Sequence, residues 1–264
     1  MGRMTDRALS FDVVAGQYDA ARPGYPPALL DAVEELSGRS LRGSRVVDVG
    51  AGTGIATRLL RARGAEVIAV EPGPGMAAQL RRGLPDTPLV RGLGDALPIA
   101  DASVDLVTYA QSWHWTDPAR SVPEALRVLR PGGALALWWN VADSTVPWVA
   151  AQEERLHRLA GAGGGSHGSG GRRSERLPAD LPRVQRELRW TRTVPLDTHL
   201  ANLGSHSLFR VLGEEATAAC LAEERAELLK VFPTGQVDEA YSVELTVTFR
   251  DSASSVLRGP LSDA

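Results

Sequence analysis

An α/β fold built on a mostly parallel sheet of seven strands is the architecture this sequence predicts, and three observations lead to it. From Arg45 onward, strand-length apolar runs alternate with helix-length amphipathic runs, the pattern of successive βαβ units. Several of the strand runs, among them Val46-Val47-Asp48-Val49, are nearly continuous in apolar residues, as strands covered on both faces must be. Downstream, two stretches at 184–194 and 237–249 alternate with a period of two, which suits an antiparallel pair closing the sheet.

Taken in order, Pro26-Pro27 open an amphipathic helix that runs to about Ser37, with Leu29, Leu30, Val33 and Leu36 at helical spacing and Gly38 at its end. An aromatic-rich arm with Phe11, Tyr18, Arg22 and Tyr25 precedes it. Strands are expected at 46–49, 66–70, 89–90, 104–110 and 134–139, with helices at 55–63, 75–83 and 118–129 between them. A helix follows at 146–159. The segment 161–176 is then so rich in glycine and serine that it has few side chains to bury and much backbone entropy to lose, so a flexible loop is expected there. Residues 197–232, helical at 216–231, form a cap inserted between the last two strands. One domain spanning 1–264 is expected, with a core at 10–145.

Composition narrows the function classes. A net charge of −3, with arginines spread along the chain, offers no basic surface for a nucleic-acid backbone. The single cysteine, Cys220, allows no internal disulfide and no cysteine-based zinc cluster, which suits a reducing cytoplasm. The histidines outside the strand-four loop lack metal-ligand spacing, so no metal is expected. No apolar run approaches a membrane span, and residues 1–25 lack the layout of a signal peptide. One lysine stands against 28 arginines, a skew that fits the codons of a high-GC bacterium.

The informative constellation is Asp48-Val49-Gly50-Ala51-Gly52-Thr53-Gly54, after a strand and before a helix. Glycines there let the backbone turn sharply and let a ligand approach the main chain. At the end of the next strand stands Glu71, where a carboxylate can accept hydrogen bonds from both hydroxyls of a ribose. Turn, strand context and spaced acid together point to a nucleoside. A dinucleotide site prefers Gly-x-Gly-x-x-Gly, but here Ile55 occupies the place of the last glycine, and no Tyr-x-x-x-Lys pair exists because Lys230 is the only lysine. A nicotinamide-dependent oxidoreductase is therefore the disfavoured alternative.

At these residues the sequence resembles the Rossmann-like class I methyltransferases that use S-adenosyl-L-methionine, and within them the small-molecule, type 11 domain group, over residues 10–145 in particular. The resemblance implies that Asp48, Gly50, Gly52 and Gly54 form the first cofactor motif and that Glu71 holds the ribose diol. It implies the same for Asp95 and Ala96, in Gly94-Asp95-Ala96-Leu97-Pro98, toward the adenine; the other reading of Asp95 is a loop-capping aspartate. Arg130-Pro131-Gly132-Gly133 matches a family turn before strand five. In the arm, Arg22 either pairs with the carboxylate of the cofactor or is a surface arginine beside a Pro-Gly turn, and Tyr18 lies in the same covering segment.

The loop after strand four reads Tyr109-Ala110-Gln111-Ser112-Trp113-His114-Trp115, similar to a stretch of trans-aconitate methyltransferase-like proteins. Ligands of open α/β sheets sit beyond the carboxyl ends of the strands, so this loop faces the acceptor. His114 is the candidate for an acceptor contact or general base, with local loop capping as its alternative. Trp113, Trp115 and Tyr25 are expected to line the substrate pocket, unless the tryptophans belong to the core. The expected reaction is methyl transfer to a small-molecule acceptor, a carboxylate or hydroxyl oxygen first, with carbon and nitrogen acceptors and a non-catalytic binding protein as the alternatives.

Overall fold

The computed structural model describes residues 22–161, 177–178, 181–205, 209 and 212–251. Tyr18, Leu208 and all but the first residue of the glycine-rich segment 161–176 lie outside the described residues.

The element order is α1 (Pro27–Ser37), β1 (Arg45–Val49), α2 (Ile55–Ala62), β2 (Glu66–Val70), α3 (Pro74–Gly83), β3 (Leu89–Val90), β4 (Val104–Ala110), a short 3-10 turn (Trp113–Trp115), α4 (Pro118–Val128), β5 (Leu129–Ala142), α5 (Pro147–Gly161), β6 (Arg183–Pro195), α6 (Leu196–Gly204), α7 (Glu214–Val231) and β7 (Gln236–Phe249). The seven strands form one sheet in the order β3-β2-β1-β4-β5-β7-β6. β1 to β5 pair in parallel, while β7 is antiparallel to both β5 and β6. This is the Rossmann-like α/β arrangement with an antiparallel closing pair. The order reverses beside β1, between β2 and β4, and so opens a crevice at their carboxyl ends.

Alternation along the strands sends successive side chains to opposite layers. Val46, Leu106, Ala134 and Trp138 pack with Leu29, Leu30 and Val33 of α1 on one face. Val47, Val107, Leu135 and Trp139 pack with Val122, Ala125 and Val128 of α4 on the other. Each large apolar side chain buried in this way contributes roughly 2 kcal/mol. The cap has its own small core, in which Leu196, Leu200, Leu203, Phe209, Cys220 and Leu228 pack on Val237.

Two boundaries differ from expectation. β5 runs from Leu129 to Ala142 rather than 134–139, because β7 pairs with it from Ala134 to Ala142 and Leu129 pairs with Val104 across a register shift. Arg130-Pro131-Gly132-Gly133 therefore falls in the irregular start of this strand, where Arg130 Nη1 donates to Asp105 at 2.8 Å. The cap also holds an additional helix, α6, which starts straight after Pro195 at the end of β6. Among the described residues no helix is long and apolar enough to cross a membrane.

A buried polar chain ties the cap to the sheet. Arg155 of α5 bonds both oxygens of Glu224 of α7, at 2.6 and 2.8 Å. Gln152 Nε2 reaches Glu224 at 3.2 Å and His199 Nε2 at 3.1 Å. His199 Nδ1 lies 2.7 Å from Glu239, which also accepts from Arg192 Nε at 2.6 Å. Since the Gln152 amide nitrogen donates to both of its partners, the network assigns the neutral tautomer of His199 with its proton on Nδ1, facing Glu239. Burial pushes the Glu239 carboxyl up, but hydrogen bonds from His199 and Arg192 outweigh it and hold the group below its ordinary value of 4.5.

A folded-state value below the unfolded one stabilises the fold above the ordinary carboxylate range, and that contribution disappears as pH falls through the lowered value. Glu239→Gln is therefore expected to cost about 2 kcal/mol at pH 7, where it removes the charge that faces the half-buried Arg192 guanidinium. Urea denaturation at a series of pH values should show the gap between variant and wild type closing below pH 4.5. A gap independent of pH would mean that the charge of Glu239 is not what binds cap to sheet.

Candidate functional site

The site is built where β1, β2 and β4 end. The chain leaves β1 at Val49, and the amides of Gly50 and Ala51 both donate to Val70 O, at 2.8 and 3.2 Å, which fastens the turn to the end of β2. Gly50 has φ +66°, and a Cβ added to it would lie 2.5 Å from Ser112 Cβ. Ser112 itself is held by a 2.5 Å bond from its hydroxyl to Val49 O. The loops after β1 and β4 are thus in contact through a glycine that no other residue can replace without displacement.

Gly52 differs: it also has positive φ, +58°, but an added Cβ would meet nothing within 4 Å. Open space over a left-handed glycine is what a ligand lying against the main chain needs. Beside it, Glu71 is 7% exposed, and its two oxygens accept from Gly52 N at 2.8 Å and Gly73 N at 2.7 Å. Each carboxylate oxygen can accept more than one bond, and the two amides set the orientation of the group. Gly54 caps α2, whose first residue is Ile55.

Asp48, expected in the cofactor motif, has a side chain that is 0% exposed and accepts from Thr57 at 2.6 Å and from Thr108 at 3.0 Å. Burial raises its pKa, against the hydrogen bonds from the two threonines. Asp48 clamps β1, α2 and β4 together beneath the turn, because a strand residue at that position of the alternation points into the layer below. Trp113, expected to line the substrate pocket, is 0% exposed, and its ring meets Tyr109 edge-on at 4.8 Å in the core beside α4, behind the loop.

His114 and Trp115 are half-buried, with ring centroids 4.6 Å apart and tilted by 44°. Asp95 is half-buried, and its Oδ1 accepts from Asp117 N at 3.0 Å, a loop clamp that leaves the second oxygen without a partner among the described residues. Ala96 is exposed at a tight bridge to Leu93. The Gly94 carbonyl accepts from Tyr109 OH at 3.3 Å, so the core below β4 also supports the Asp95 loop. Arg22 and Tyr25 are half-buried; Tyr25 sits edge-on to Trp138 at 6.0 Å, and the Arg22 carbonyl lies 3.5 Å from Arg192 Nη1.

Sequence reasoning passed over Gln111, Thr57, Thr108 and Asn140. Gln111 has φ +60°, unusual for a residue with a Cβ. Its conformation is imposed by two bonds to β5, Gln111 N to Trp138 O at 2.9 Å and Gln111 Nε2 to Asn140 O at 3.0 Å. Strained residues of this kind gather at functional sites. Nothing in the local sequence marks Gln111, whereas the polar Asn140 directly after Trp138-Trp139 interrupts an apolar strand and was a readable signal.

Comparison with known proteins agrees with this geometry. The family described as "Methyltransferase domain" matches residues 47–137. An uncharacterised methyltransferase of Mycobacterium tuberculosis is 42% identical over 187 residues, which cover 70% of this chain and 72% of that protein. A further uncharacterised methyltransferase, from Schizosaccharomyces pombe, is 35% identical over 160 residues, 60% of this chain and 62% of the other. Among solved structures, one described as a type II methyltransferase from Anaeromyxobacter dehalogenans is 28% identical with a TM-score of 0.67, covering 86% of this chain and 97% of its own.

Proposed function

The chain belongs to the methyltransferases, and from that premise we propose that it moves the methyl group of S-adenosyl-L-methionine to an oxygen of a small-molecule acceptor. The observation that carries the reading is Glu71, buried and pinned by two backbone amides beside the open face of Gly52. When bound, S-adenosyl-L-methionine supplies an electrophilic methyl group on a sulfonium.

The residues of this chain divide the remaining work. Glu71 accepts the two ribose hydroxyls, Gly52 lets the ligand lie against the main chain while Gly50 shapes the cofactor turn against Ser112, and Asp95 with Ala96 borders the adenine. Arg22 faces the carboxylate of the cofactor, and Tyr18, outside the described residues, is assigned to the cofactor by the family resemblance alone. His114 accepts the proton of an acceptor hydroxyl, and Trp115 and Tyr25 border the acceptor. Methyl transfer is an in-line displacement, so most of its acceleration comes from positioning, to which a base adds where the acceptor must lose a proton. A net charge of −3 favours a small metabolite over a nucleic acid as the acceptor, and a role in the cytoplasm of a bacterium fits the single cysteine and the arginine-rich codon usage.

Isothermal titration of the protein with S-adenosyl-L-methionine, S-adenosylhomocysteine and NADH tests the reading. The first two are expected to bind and NADH is not; binding of NADH alone would overturn the proposal in favour of an oxidoreductase. Once an acceptor is in hand, His114→Ala is expected to slow transfer by about 100-fold, and a loss within about tenfold would remove the base role.

A further inference from the structure

We infer that Asn140, at the carboxyl end of β5, is an acceptor-binding residue, and that its surroundings select a neutral hydroxyl-bearing ring over a carboxylate. This rests on the methyltransferase reading above and deepens it.

Asn140 is 9% exposed, and its amide is only half satisfied. Oδ1 accepts from Trp190 Nε1 at 2.9 Å; since the indole can only donate, this fixes which end of the amide is oxygen. Nδ2 is buried without a partner among the described residues. Leaving such a donor unsatisfied is costly, and a ligand oxygen would recover that loss. Its position is the one where the topology puts the acceptor. Asn140 follows Trp138 on β5, and its carbonyl holds the side chain of the strained Gln111 at the carboxyl end of β4, immediately before the His114 loop.

A second orphan lies on the cap side of the same aromatic pair. Trp190 stacks on Tyr241 with centroids 5.3 Å apart and planes at 27°. The Tyr241 hydroxyl interacts with Glu239 and accepts from Asn202 Nδ2 at 3.2 Å, which leaves the buried Asn202 Oδ1 without a partner among the described residues. Sheet and cap therefore offer one unmet donor and one unmet acceptor on either side of stacked rings, with half-buried Trp190 and Tyr25 as apolar walls.

Charge decides the class of ligand. Among the described residues the guanidiniums of Arg192 and Arg155 are already engaged, by Glu239 at 2.6 Å and by Glu224, and Arg22 is assigned above to the carboxylate of the cofactor. An anionic acceptor would enter beside the buried Glu239 carboxylate and the Asn202 carbonyl oxygen with no uncommitted counter-charge among these residues, and would lose solvation that they do not return. A neutral hydroxyl accepts from the Asn140 amide without that cost.

The probes are 1-naphthol and 1-naphthoate, equal in ring and opposite in charge, titrated by tryptophan fluorescence into the protein saturated with S-adenosylhomocysteine. Naphthol is expected to bind at least tenfold more tightly than naphthoate. Asn140→Asp keeps an oxygen for Trp190 and replaces only the donor, so it should weaken naphthol at least tenfold while S-adenosylhomocysteine affinity stays within twofold. Asn140→Ser, which restores a small donor, should recover part of the loss. Equal binding of the two probes, binding of neither, or an Asn140→Asp effect within twofold would overturn the inference and leave Asn140 as a strut for Trp190. Failure of S-adenosylhomocysteine to bind the wild type would instead overturn the methyltransferase reading itself.

Discussion

Replacing Glu71 by alanine is expected to weaken the binding of S-adenosylhomocysteine by at least 100-fold, the largest loss we expect from any single side chain of the site. The carboxylate is 7% exposed and its orientation is set by the amides of Gly52 and Gly73. A ligand diol thus meets an acceptor that has already been desolvated and aligned. Hydrogen bonds to a charged group are worth about 1.5–3 kcal/mol each, so losing two, less what water returns, comes to about 3 kcal/mol, or about two decades in affinity. The variant also orphans the Gly52 and Gly73 amides and loosens the turn. Glu71→Gln keeps the shape but presents an amide N–H where two acceptors are needed, and should fall between the wild type and alanine. Calorimetric titration measures all three, and an alanine variant within tenfold of the wild type would mean that the diol is bound elsewhere.

Gly50→Ala is expected to lower stability by about 2–5 kcal/mol. The left-handed backbone at φ +66° costs an L-residue about 1–2 kcal/mol, and an overlap in a packed region costs about 1–3 kcal/mol more. The overlap is with Ser112 Cβ at 2.5 Å, which cannot retreat freely because Ser112 Oγ is bonded to Val49 O and the preceding Gln111 is tied to β5. For a chain of this size the change corresponds to a fall of roughly 10 °C in melting temperature. Gly50→Ala combined with Ser112→Gly removes the overlap but not the backbone strain, and should recover about half. Gly52→Ala provides the contrast: its Cβ meets no protein atom, so stability should fall by only about 1 kcal/mol while ligand binding falls steeply. If calorimetry finds the two glycine variants alike in stability, the contact between the β1 and β4 loops does not constrain the site.

The two variants also separate what the glycine motif shares with any tight turn from what it reserves for a ligand. Gly50 answers to a neighbouring loop 62 positions away, Gly52 to empty space, and the sequence presents both as the same letter. Asp48 shows the same division. Its place in the motif was legible, but whether its carboxylate meets a ligand or two threonines depended on Thr57 and on Thr108, which comes from another strand.

By itself the sequence determined the fold class, the order of the elements, the glycine turn and the acid at the end of β2, because these rest on local periodicity, turn chemistry and spacing along one strand-turn-helix unit. Tertiary structure alone decided that Asp48 and Trp113 face inward, that β5 extends under the pull of β7, that Gln111 is held in a left-handed conformation, and that Asn140 keeps an unmet donor beside stacked rings. Each of these depends on which partner a side chain or a carbonyl finds across the sheet. Such partners are brought together by strand register and layer packing, which no window of neighbouring residues contains.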